Sequence, residues 1–453
     1  MTKFFKRSLL SFFCIVNTFI FSDKTVFADQ PNVIIIYTDD QGSFDLNCYG
    51  SKDLHTPHLD SLAAAGVRFT RMYSPSAICS ASRAGLLTGR FPARAGVPGN
   101  VSSKKGVAGM PTEEITLAEH FMENGYKTGH VGKWHLGYTP ETMPNSQGFE
   151  SSFGHMGGCI DNYSHFFYWN GPNRHDLWQN GKEIFRDGEY FGELMIDQCR
   201  QFVSGNQSHP FFLYWAINWP HYPMQGTGKW REKYKDLPHP RNKYATFIST
   251  MDEMIGQLIK QLDDLGIRDN TIIVFQSDHG HSVEERAFYG GGNPGPFRGA
   301  KGSLFEGGIR VPSIISWPGE LPENVTRDQT VCGIDWVPTL LNLAHCKQKN
   351  PERKLDGKDI SLVIRKNEPT PHPFLYWQLG RGPSAQWAII KDQWKILGNA
   401  RDPRATNSLS SRDKKLFLID LKKDISETTN LVDSEKIVTE QMTQLRAIIA
   451  KGL

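Results

Sequence analysis

Short apolar runs that end abruptly in charged or polar residues constrain the fold of this 453-residue chain more than any other feature. Three of them read NVIIIYTDD at 32–40, PFFLYWAINWPHYP at 210–223 and TIIVFQSDHG at 271–280. Segments with helical periodicity lie between such runs, and the longest is predicted over 243–265. Continuous apolar strands that alternate with helices are typical of a mostly parallel sheet covered on both faces. The sequence therefore predicts a large α/β domain.

The pattern changes after about residue 365. A terminal helix is predicted from Ser434, after three short strand-like runs at hairpin-like spacing: 373–380, 387–398 and 415–423. This arrangement predicts a small antiparallel sheet packed on the α/β domain. We therefore divide the chain after its first 28 residues into a main domain, 29–365, and a C-terminal subdomain, 366–453.

Residues 1–28 have the pattern of a secretory signal. A basic start precedes the apolar run LLSFFCIVNTFIF at 9–21, and Val26-Phe27-Ala28 suits a cleavage site. The run is shorter than the ~20 apolar residues that a membrane span needs, and no second run of that length follows. We therefore expect a cleaved signal, no stable membrane span afterwards, and a secreted, periplasmic or cell-surface protein.

The overall charge gives no support to one class of partner. The formal net charge is +3, and the 51 basic residues are spread along the chain without a basic block. Nucleic-acid binding proteins concentrate such charge on one face, so nothing here favours nucleic acid as a partner.

Polar side chains follow several predicted strands at the point where each strand ends. In an open α/β sheet, ligands bind beyond the carboxyl ends of the strands. Because neighbouring parallel strands bring these ends to one edge, we expect a single active site there, built from Asp39, Asp40, Lys133, His135, His221, Asp278 and His279.

The two acidic pairs are candidate metal ligands. A pair such as Asp39-Asp40 alone is more often a turn or helix cap, but a second pair, Asp278-His279, follows another strand. Crowded carboxylates stay ionised only beside a cation, and their oxygens suit calcium or magnesium. The imidazole of His279 leaves manganese or zinc open.

Three other segments carry candidate anion-binding or proton-transferring groups. Lys133 and His135 are two residues apart, so in an extended loop they point to the same side and suit a tetrahedral oxyanion. Pro220 and Pro223 stiffen the chain around His221, which suits a general acid, and Lys301 lies in the glycine-rich stretch RGAKGSLFEGG. For each, an ordinary surface loop is the alternative.

Cys79 precedes a helical segment predicted over 82–87, whose amino terminus directs partial positive charge at it. A buried structural thiol is the common alternative, as a solvated helix position is for Arg83. Metal-ligand spacing is absent around Cys79, which disfavours zinc. Beyond the signal the chain has six cysteines, and if Cys79 is functional at least one of the other five is free.

Taken together, CSASRAGLLTG, the DD pair, GKWHLG, PHYP, SDHG and GAKGSLFEGGIRVP resemble the type I, formylglycine-dependent sulfatases of the alkaline phosphatase superfamily. Within that family the chain is most similar to the arylsulfatase and N-acetylhexosamine-sulfatase branch. The resemblance covers nearly the whole chain after the signal, including LDGKDISLVI and LFLIDLKKDISETTNL.

The resemblance implies roles for individual residues. Cys79 matches the cysteine that a maturase oxidises to formylglycine (3-oxoalanine), and Arg83 matches the arginine used for that recognition and for holding the product. One calcium ion is implied, with Asp39, Asp40, modified Cys79, Asp278 and His279 as ligands. Sulfate binding and proton transfer are implied for Lys133, His135, His221 and Lys301. Ala81 stands where the commonest signature has proline, which leaves open which maturase acts.

The resemblance also implies a mechanism. One hydroxyl of the hydrated aldehyde attacks sulfur and expels the alcohol. The resulting sulfated hemiacetal then collapses through its second hydroxyl, which re-forms the aldehyde and releases sulfate. We assign the proton for the leaving oxygen to His221 and the removal of a proton during collapse to His135.

A sulfated carbohydrate is the expected substrate, largely on the resemblance. The aromatic-rich segment 155–185 offers His165, Arg174 and His175 as polar contacts, and Arg381 adds one from the C-terminal subdomain, although local packing is an equal alternative. Two other functions are considered. One is a phosphate or phosphonate ester hydrolase of the same superfamily, and the other is a glycan-binding protein with unmodified Cys79.

Overall fold

A computed structural model describes residues 1–2, 30–169, 173–404 and 409–451. The predicted secretory signal lies outside these ranges apart from its first two residues. Among the helices within them, none is both long and apolar enough to cross a bilayer. The six cysteines of the described ranges are all free thiols.

Eighteen strands form one large sheet and three small ones in the described residues. In chain order they are β1 (Asn32–Asp39), β2 (Val67–Phe69), β3 (Met72–Tyr73), β4 (Lys127–Lys133), β5 (Ser151–His155), β6 (Phe166–Phe167), β7 (Arg174–His175), β8 (Trp178–Gln179), β9 (Lys182–Glu183), β10 (Phe211–Pro220), β11 (Thr271–Ser277), β12 (Ser313–Ser316), β13 (Val325–Arg327), β14 (Val331–Cys332), β15 (Leu375–Leu379), β16 (Gln386–Lys391), β17 (Trp394–Gly398) and β18 (Leu416–Asp420).

The helices pack around these sheets. They are α1 (Pro57–Ala64), α2 (Cys79–Thr88), α3 (Leu117–Glu123), α4 (Phe191–Gly205), α5 (Gly228–Lys233), α6 (Arg241–Asp264), α7 (Glu306–Ile309), α8 (Trp336–Leu343), α9 (Ser361–Lys366), α10 (Ser411–Lys415) and α11 (Lys436–Ala450). The long helix predicted over 243–265 is α6, two residues longer at its amino terminus.

The large sheet has ten strands in the order β13-β2-β12-β11-β1-β10-β4-β5-β8-β9. Its central strands β11, β1, β10, β4 and β5 are parallel, and β12 and β8 add antiparallel edges. Strand β1 is buried along its whole length, and its alternate residues belong to two different apolar clusters. Both faces are therefore covered, which confirms the predicted α/β architecture.

Register brings the ends of the central strands together. Tyr37 pairs with Gln276 of β11 and Thr38 with Ser277, while Asp39 lies opposite Pro220 at the end of β10. The polar residues that follow β1, β10 and β11 consequently leave the sheet at one edge, as the sequence predicted.

The C-terminal sheet is an antiparallel meander, β15-β16-β17-β18. Helix α11 covers one face, where Met442 packs with Ile389 and Ile396. The opposite face packs on the large domain through a cluster that includes Tyr73, Phe305 and Trp377. The predicted small antiparallel sheet and terminal helix are thus confirmed.

Candidate active site

Two acidic pairs meet where β1 and β11 end. Asp39 is the last residue of β1, and Asp40 follows with a left-handed backbone, at φ 64°. The amide of Asp278 donates to the carbonyl of Thr38 at 2.9 Å, and the amide of Asp40 donates to Asp278 Oδ1 at 3.3 Å. All three aspartates are 1% exposed or less, so their carboxylates face each other away from solvent.

Cys79 is the first residue of α2 and joins this group. Its Sγ lies 3.6 Å from Asp39 Oδ1 and 3.3 Å from His279 Nε2. Ligand atoms of Asp39, Cys79, Asp278 and His279 all lie within 4.8 Å of one another. His279 Nδ1 is 3.5 Å from Asp40 Oδ1, so all five residues predicted as metal ligands lie in one cluster.

Arg83 lies one helical turn after Cys79 and is fully buried. Its Nη2 is 3.0 Å from Asp278 Oδ2 and 3.9 Å from Asp39 Oδ1, and its Nη1 donates to the carbonyl of Lys133 at 3.3 Å. The alternative of a solvated helix position is therefore wrong for Arg83, which instead fixes α2 against both acidic strand ends.

Two lysines neutralise the paired aspartates separately. Lys133, the last residue of β4, contacts Asp39 Oδ2 at 2.6 Å, and Lys301 contacts Asp40 Oδ1 at 3.0 Å. His221 Nε2 lies 3.7 Å from Asp40 Oδ2. The other nitrogen of His221, Nδ1, is 2.8 Å from the carbonyl of Tyr222, which fixes the ring.

The charges of the acidic pair are divided unequally. Burial opposes ionisation of Asp39, but the positive charges of Lys133 and Arg83 outweigh it and hold its pKa well below the usual range. Burial raises the pKa of Asp40 despite Lys301, and Asp39 raises it further. Burial and Asp39 also raise the pKa of Asp278, to about 7. Asp40 and Asp278 therefore keep protons that a bound cation would displace.

The thiol and the two histidines all have a lowered pKa, which favours the charged form of the thiol and the neutral form of the histidines. Burial and Asp39 oppose ionisation of Cys79, yet Lys133, Lys301 and His279 lower its pKa to about 6. Burial, reinforced by neighbouring lysines, holds the pKa of both His135 and His221 well below the usual range. In the free protein both imidazoles are therefore neutral at neutral pH.

A cleft of about 280 Å³ opens above Cys79. The predicted residues His135, His221, Lys301 and Arg174 line it. Sequence reasoning missed Asn100, Lys104, Glu284 and Arg286, which also line the cleft. Glu284 Oε2 is 3.1 Å from Lys301 Nζ, and its only sequence signal is its place five residues after the SDHG histidine.

The remaining predicted substrate contacts separate into two groups. Arg174 reaches the cleft, stacks 3.9 Å from the centre of the Phe167 ring and donates to the carbonyl of Ser103. His165 and His175 are buried behind the wall and do not line the cleft. Arg381 is exposed and donates to the carbonyl of Gly96 at 3.1 Å, also outside the cleft lining.

Comparison with known proteins gives two family matches. The family described as Sulfatase matches residues 31–346, and the one described as N-sulphoglucosamine sulphohydrolase, C-terminal, matches 299–451.

Individual proteins align over much of the chain. Human arylsulfatase A is 33% identical over 92% of this chain and 86% of its own length. The N-acetylgalactosamine-6-sulfatase of Sus scrofa is 33% identical over 77% of this chain and 68% of its own length. The crystal structure of Ps i-CgsB in complex with k-i-k-neocarrahexaose superposes with a TM-score of 0.81 and 31% identity, covering 92% of both chains.

Proposed function

This chain belongs to the sulfatase family and is a sulfuric ester hydrolase, and we propose that it cleaves the sulfate ester of a sulfated carbohydrate in the cleft above Cys79. The observation that carries the proposal is the position of Cys79. Its sulfur lies between Asp39 and His279 at a helix amino terminus, and Lys301, Lys133 and His279 lower its pKa. A tetrahedral anion that enters the cleft meets Lys301 in its lining, and Lys133 and His279 lie buried behind Cys79.

The proposed substrate class draws on the cleft wall and on similar proteins. Arg174, Lys104 and Arg286 supply positive charge, and Trp169 adds an aromatic surface beside them. Such a wall suits an anionic sugar, which needs both charge and stacking area. The names of similar proteins include an N-acetylgalactosamine sulfatase and a structure in complex with a neocarrahexaose.

We further propose that the acidic cluster holds one divalent cation, calcium by the chemistry of its ligands. Three buried carboxylates from two strand ends supply oxygens, and His279 adds a nitrogen. The raised pKa of Asp40 and of Asp278 indicates more buried acid than Lys133, Lys301 and Arg83 neutralise. A bound cation would remove that excess.

Residue 79 as formylglycine would supply a hydrated aldehyde as the nucleophile, and the cation would supply further positive charge beside it. Lys133 and Lys301 are placed to neutralise the sulfuryl oxygens, because each already reaches a carboxylate next to Cys79. Arg83 holds α2, and with it residue 79, against the two acidic strand ends.

Proton transfer is assigned to the two histidines of the cleft. His221 Nε2 faces the cleft because Nδ1 is held by its neighbour's carbonyl, so we assign it the proton for the leaving oxygen. His135, whose Nδ1 has no hydrogen-bond partner, is assigned to accept the proton from the hydroxyl of residue 79. Both rings are neutral in the free protein, and an anionic substrate would favour protonation of His221.

Maturation and export complete the proposal. Cys79 to Arg83 is the segment that we propose a maturase recognises, with Ala81 inside it. That segment is buried in α2, so modification would precede folding. The secretory signal at 1–28 would place the mature enzyme outside the cytoplasm, where sulfated polymers are found.

The mass of the tryptic peptide 72–83 tests the proposal directly. We expect a species in which a carbonyl oxygen replaces the thiol and one hydrogen at residue 79, and sulfate release from sulfated oligosaccharides. Cys79→Ser should abolish release, while Cys346→Ser, far from the cleft, should retain it. An unmodified peptide from the native host would favour a glycan-binding protein. Turnover by Cys79→Ser would instead exclude the proposed nucleophile.

A further inference from the structure

A second cluster of metal-binding side chains lies behind the cleft wall. Strand β6 pairs with β7 so that Phe166 is opposite His175, and the carbonyl of His165 accepts from the amide of Asp176 at 2.9 Å. The two histidines therefore lie at the same end of this short ladder. Ligand atoms of His165, His175 and Asp187 all lie within 4.8 Å of one another.

The free ring nitrogens are unusual for buried groups. His165 is fully buried and His175 is 6% exposed, yet His165 Nδ1 and His175 Nε2 make no hydrogen bond. Buried polar atoms normally find a partner. His175 Nε2 is 3.9 Å from Asp187 Oδ1, which is too long for a hydrogen bond but short enough for a shared cation.

The opposite nitrogen of each ring is already held by an acceptor. His165 Nε2 lies 3.1 Å from the carbonyl of Glu189, and His175 Nδ1 lies 3.4 Å from Glu183 Oε1. Lys105 in turn holds Glu183 at 2.6 Å. Metal-binding histidines show this arrangement, because an acceptor on one nitrogen fixes the tautomer that leaves the other nitrogen's lone pair free.

The backbone of His165 supplies a further sign of constraint. It has φ 58°, a left-handed conformation that is uncommon for a residue other than glycine. Such conformations persist where surrounding structure imposes them, and they concentrate at functional sites. Here the conformation directs the ring of His165 toward His175, with the ring centres 6.2 Å apart and nearly perpendicular.

We propose that His165, His175 and Asp187 form a zinc site, distinct from the cation site at Cys79. Two imidazoles and one carboxylate are a donor set typical of zinc, with a fourth position left for water. Bond lengths of about 2.0–2.1 Å place tetrahedral ligand atoms roughly 3.4 Å apart, so the ligands must move inward. Asp187 has the freedom to do so, because its side chain is 66% exposed.

The site would fix part of the cleft wall. Arg174 precedes His175 directly on β7 and reaches the cleft, whereas His175 points to the opposite side of the strand. A cation that ties β7 to His165 and Asp187 holds the two-residue ladder that presents Arg174. Because so short a ladder is only marginally stable on its own, the bound metal would stabilise it.

Metal content of the full-length mature protein tests the site without any measurement of sulfatase turnover. The protein is equilibrated with zinc in the presence of excess calcium, which competes for the carboxylate-rich site at Cys79, and is then desalted and analysed for zinc. Asp187→Asn and His175→Gln are compared with Asp236→Asn and His209→Gln, which alter exposed residues elsewhere. Circular dichroism verifies that each variant is folded.

We expect one zinc per chain in the unaltered protein and both control variants, and its loss in Asp187→Asn and His175→Gln. Cobalt substitution provides a second readout, since visible d–d absorption reports a low-symmetry nitrogen and oxygen site and should disappear in the same two variants. An unaltered protein that retains no zinc, or folded site variants that retain as much zinc as the controls, would overturn the proposal.

Discussion

Lys133 Nζ lies 2.6 Å from Asp39 Oδ2, and both side chains are fully buried. The pair joins the ends of β4 and β1, which are separated in the sheet by β10. Lys301 makes the equivalent contact with the next residue, Asp40. Each of the two adjacent aspartates therefore has its own lysine, and of the two lysines Lys301 also lines the cleft.

Replacing Lys133 should affect both stability and catalysis. Lys133→Met leaves Asp39 buried without its nearest partner, which typically costs about 3–5 kcal/mol in the free energy of unfolding. Loss of a positive group at the sulfuryl oxygens should lower kcat by about 10²–10³-fold. Denaturant unfolding and steady-state kinetics measure the two effects.

Lys127→Met is the matched control for this prediction, because Lys127 begins the same strand β4. Its ion pair with Glu150 is exposed and contributes about 0–1 kcal/mol. A Lys133→Met enzyme that is as stable and active as Lys127→Met would contradict the role of the buried pair.

The pH dependence of kcat/KM should report His221. Burial, reinforced by Lys301, holds its pKa well below the ordinary value of about 6.5, so the protonated acid is the minor form at neutral pH. Since kcat/KM follows the free enzyme, it should fall as pH rises through that lowered pKa. His221→Gln should lower kcat/KM by about 10²–10⁴-fold and remove this acidic dependence.

His209→Gln serves as the control for His221, because His209 is exposed and far from the cleft lining. It should keep the pH profile of the unaltered enzyme. If His221→Gln retained that profile as well, another group would be the acid.

Much of the architecture could be predicted because it depends on local pattern. The apolar run of β1 and the acids that follow it place Asp39 at the sheet edge, and parallel pairing with β11 then places Asp278 beside it. The burial of Arg83 could not be predicted, because its partner Asp278 is 195 residues away. Nothing local distinguishes Arg83 from a solvated helix residue.

The cleft wall shows the same limit. Its aromatic-rich segment indicated polar contacts to substrate, but pattern alone does not say which side of a two-residue strand faces the cleft. The ladder between β6 and β7 sends Arg174 to the cleft and His175 behind it. Glu284 and Arg286 join the wall from the short 3-10 helix Glu285–Ala287 and the residue before it, which carry no motif of their own.

Ala81→Pro tests whether the signature residue matters for folding or only for maturation. Ala81 is the third residue of α2, where the amide has no acceptor within the helix, so proline should change the free energy of unfolding by no more than about 1 kcal/mol. We expect formylglycine formation by a maturase specific for the proline form, read from the mass of peptide 72–83.

Ala84→Pro is the control for the helix, since it lies one turn further into α2. Its amide belongs to the interior ladder, and proline there should cost about 3 kcal/mol or more. Equal destabilisation by both substitutions would contradict the position assigned to Ala81.

Calcium binding should strengthen as pH rises. Burial and Asp39 raise the pKa of Asp278 to about 7, so below that pH a proton must leave before the carboxylate can bind a cation. The affinity should increase by up to about tenfold per pH unit for each proton released, and level off once both Asp278 and Asp40, whose pKa burial also raises, are ionised. Calorimetry in buffers of different ionisation enthalpy counts the protons, and an affinity independent of pH would refute the assignment of Asp278.

A buried ion cluster joins the C-terminal sheet to the rest of the molecule. Lys395 of β17 contacts Glu306 of α7 at 2.8 Å and Glu427 at 2.9 Å, with all three side chains fully buried. Lys395 thus contacts two carboxylates, and Glu306 has a second positive partner in Arg310 at 3.2 Å. Burial raises the pKa of Glu427 to about 7, because the charge of Glu306 adds to the effect of burial and Lys395 offsets them only in part. We propose that 366–453 is a subdomain that docks on 29–365 through this cluster.

Glu427→Gln should therefore remove a pH-dependent loss of stability. Between the ordinary carboxyl pKa and about 7 the folded chain binds more protons at this position than the unfolded chain, so the free energy of unfolding falls as pH rises through that window. The variant should not show this decline. Relative to the unaltered protein, its free energy of unfolding should therefore increase by on the order of 3 kcal/mol between about pH 4.5 and pH 7. Urea unfolding across that window measures the difference. Glu440→Gln, which alters an exposed residue of α11, is the control and should show no such pH-dependent difference. If the difference in free energy of unfolding for Glu427→Gln did not change with pH, the Glu427 carboxyl would be ionised throughout the window.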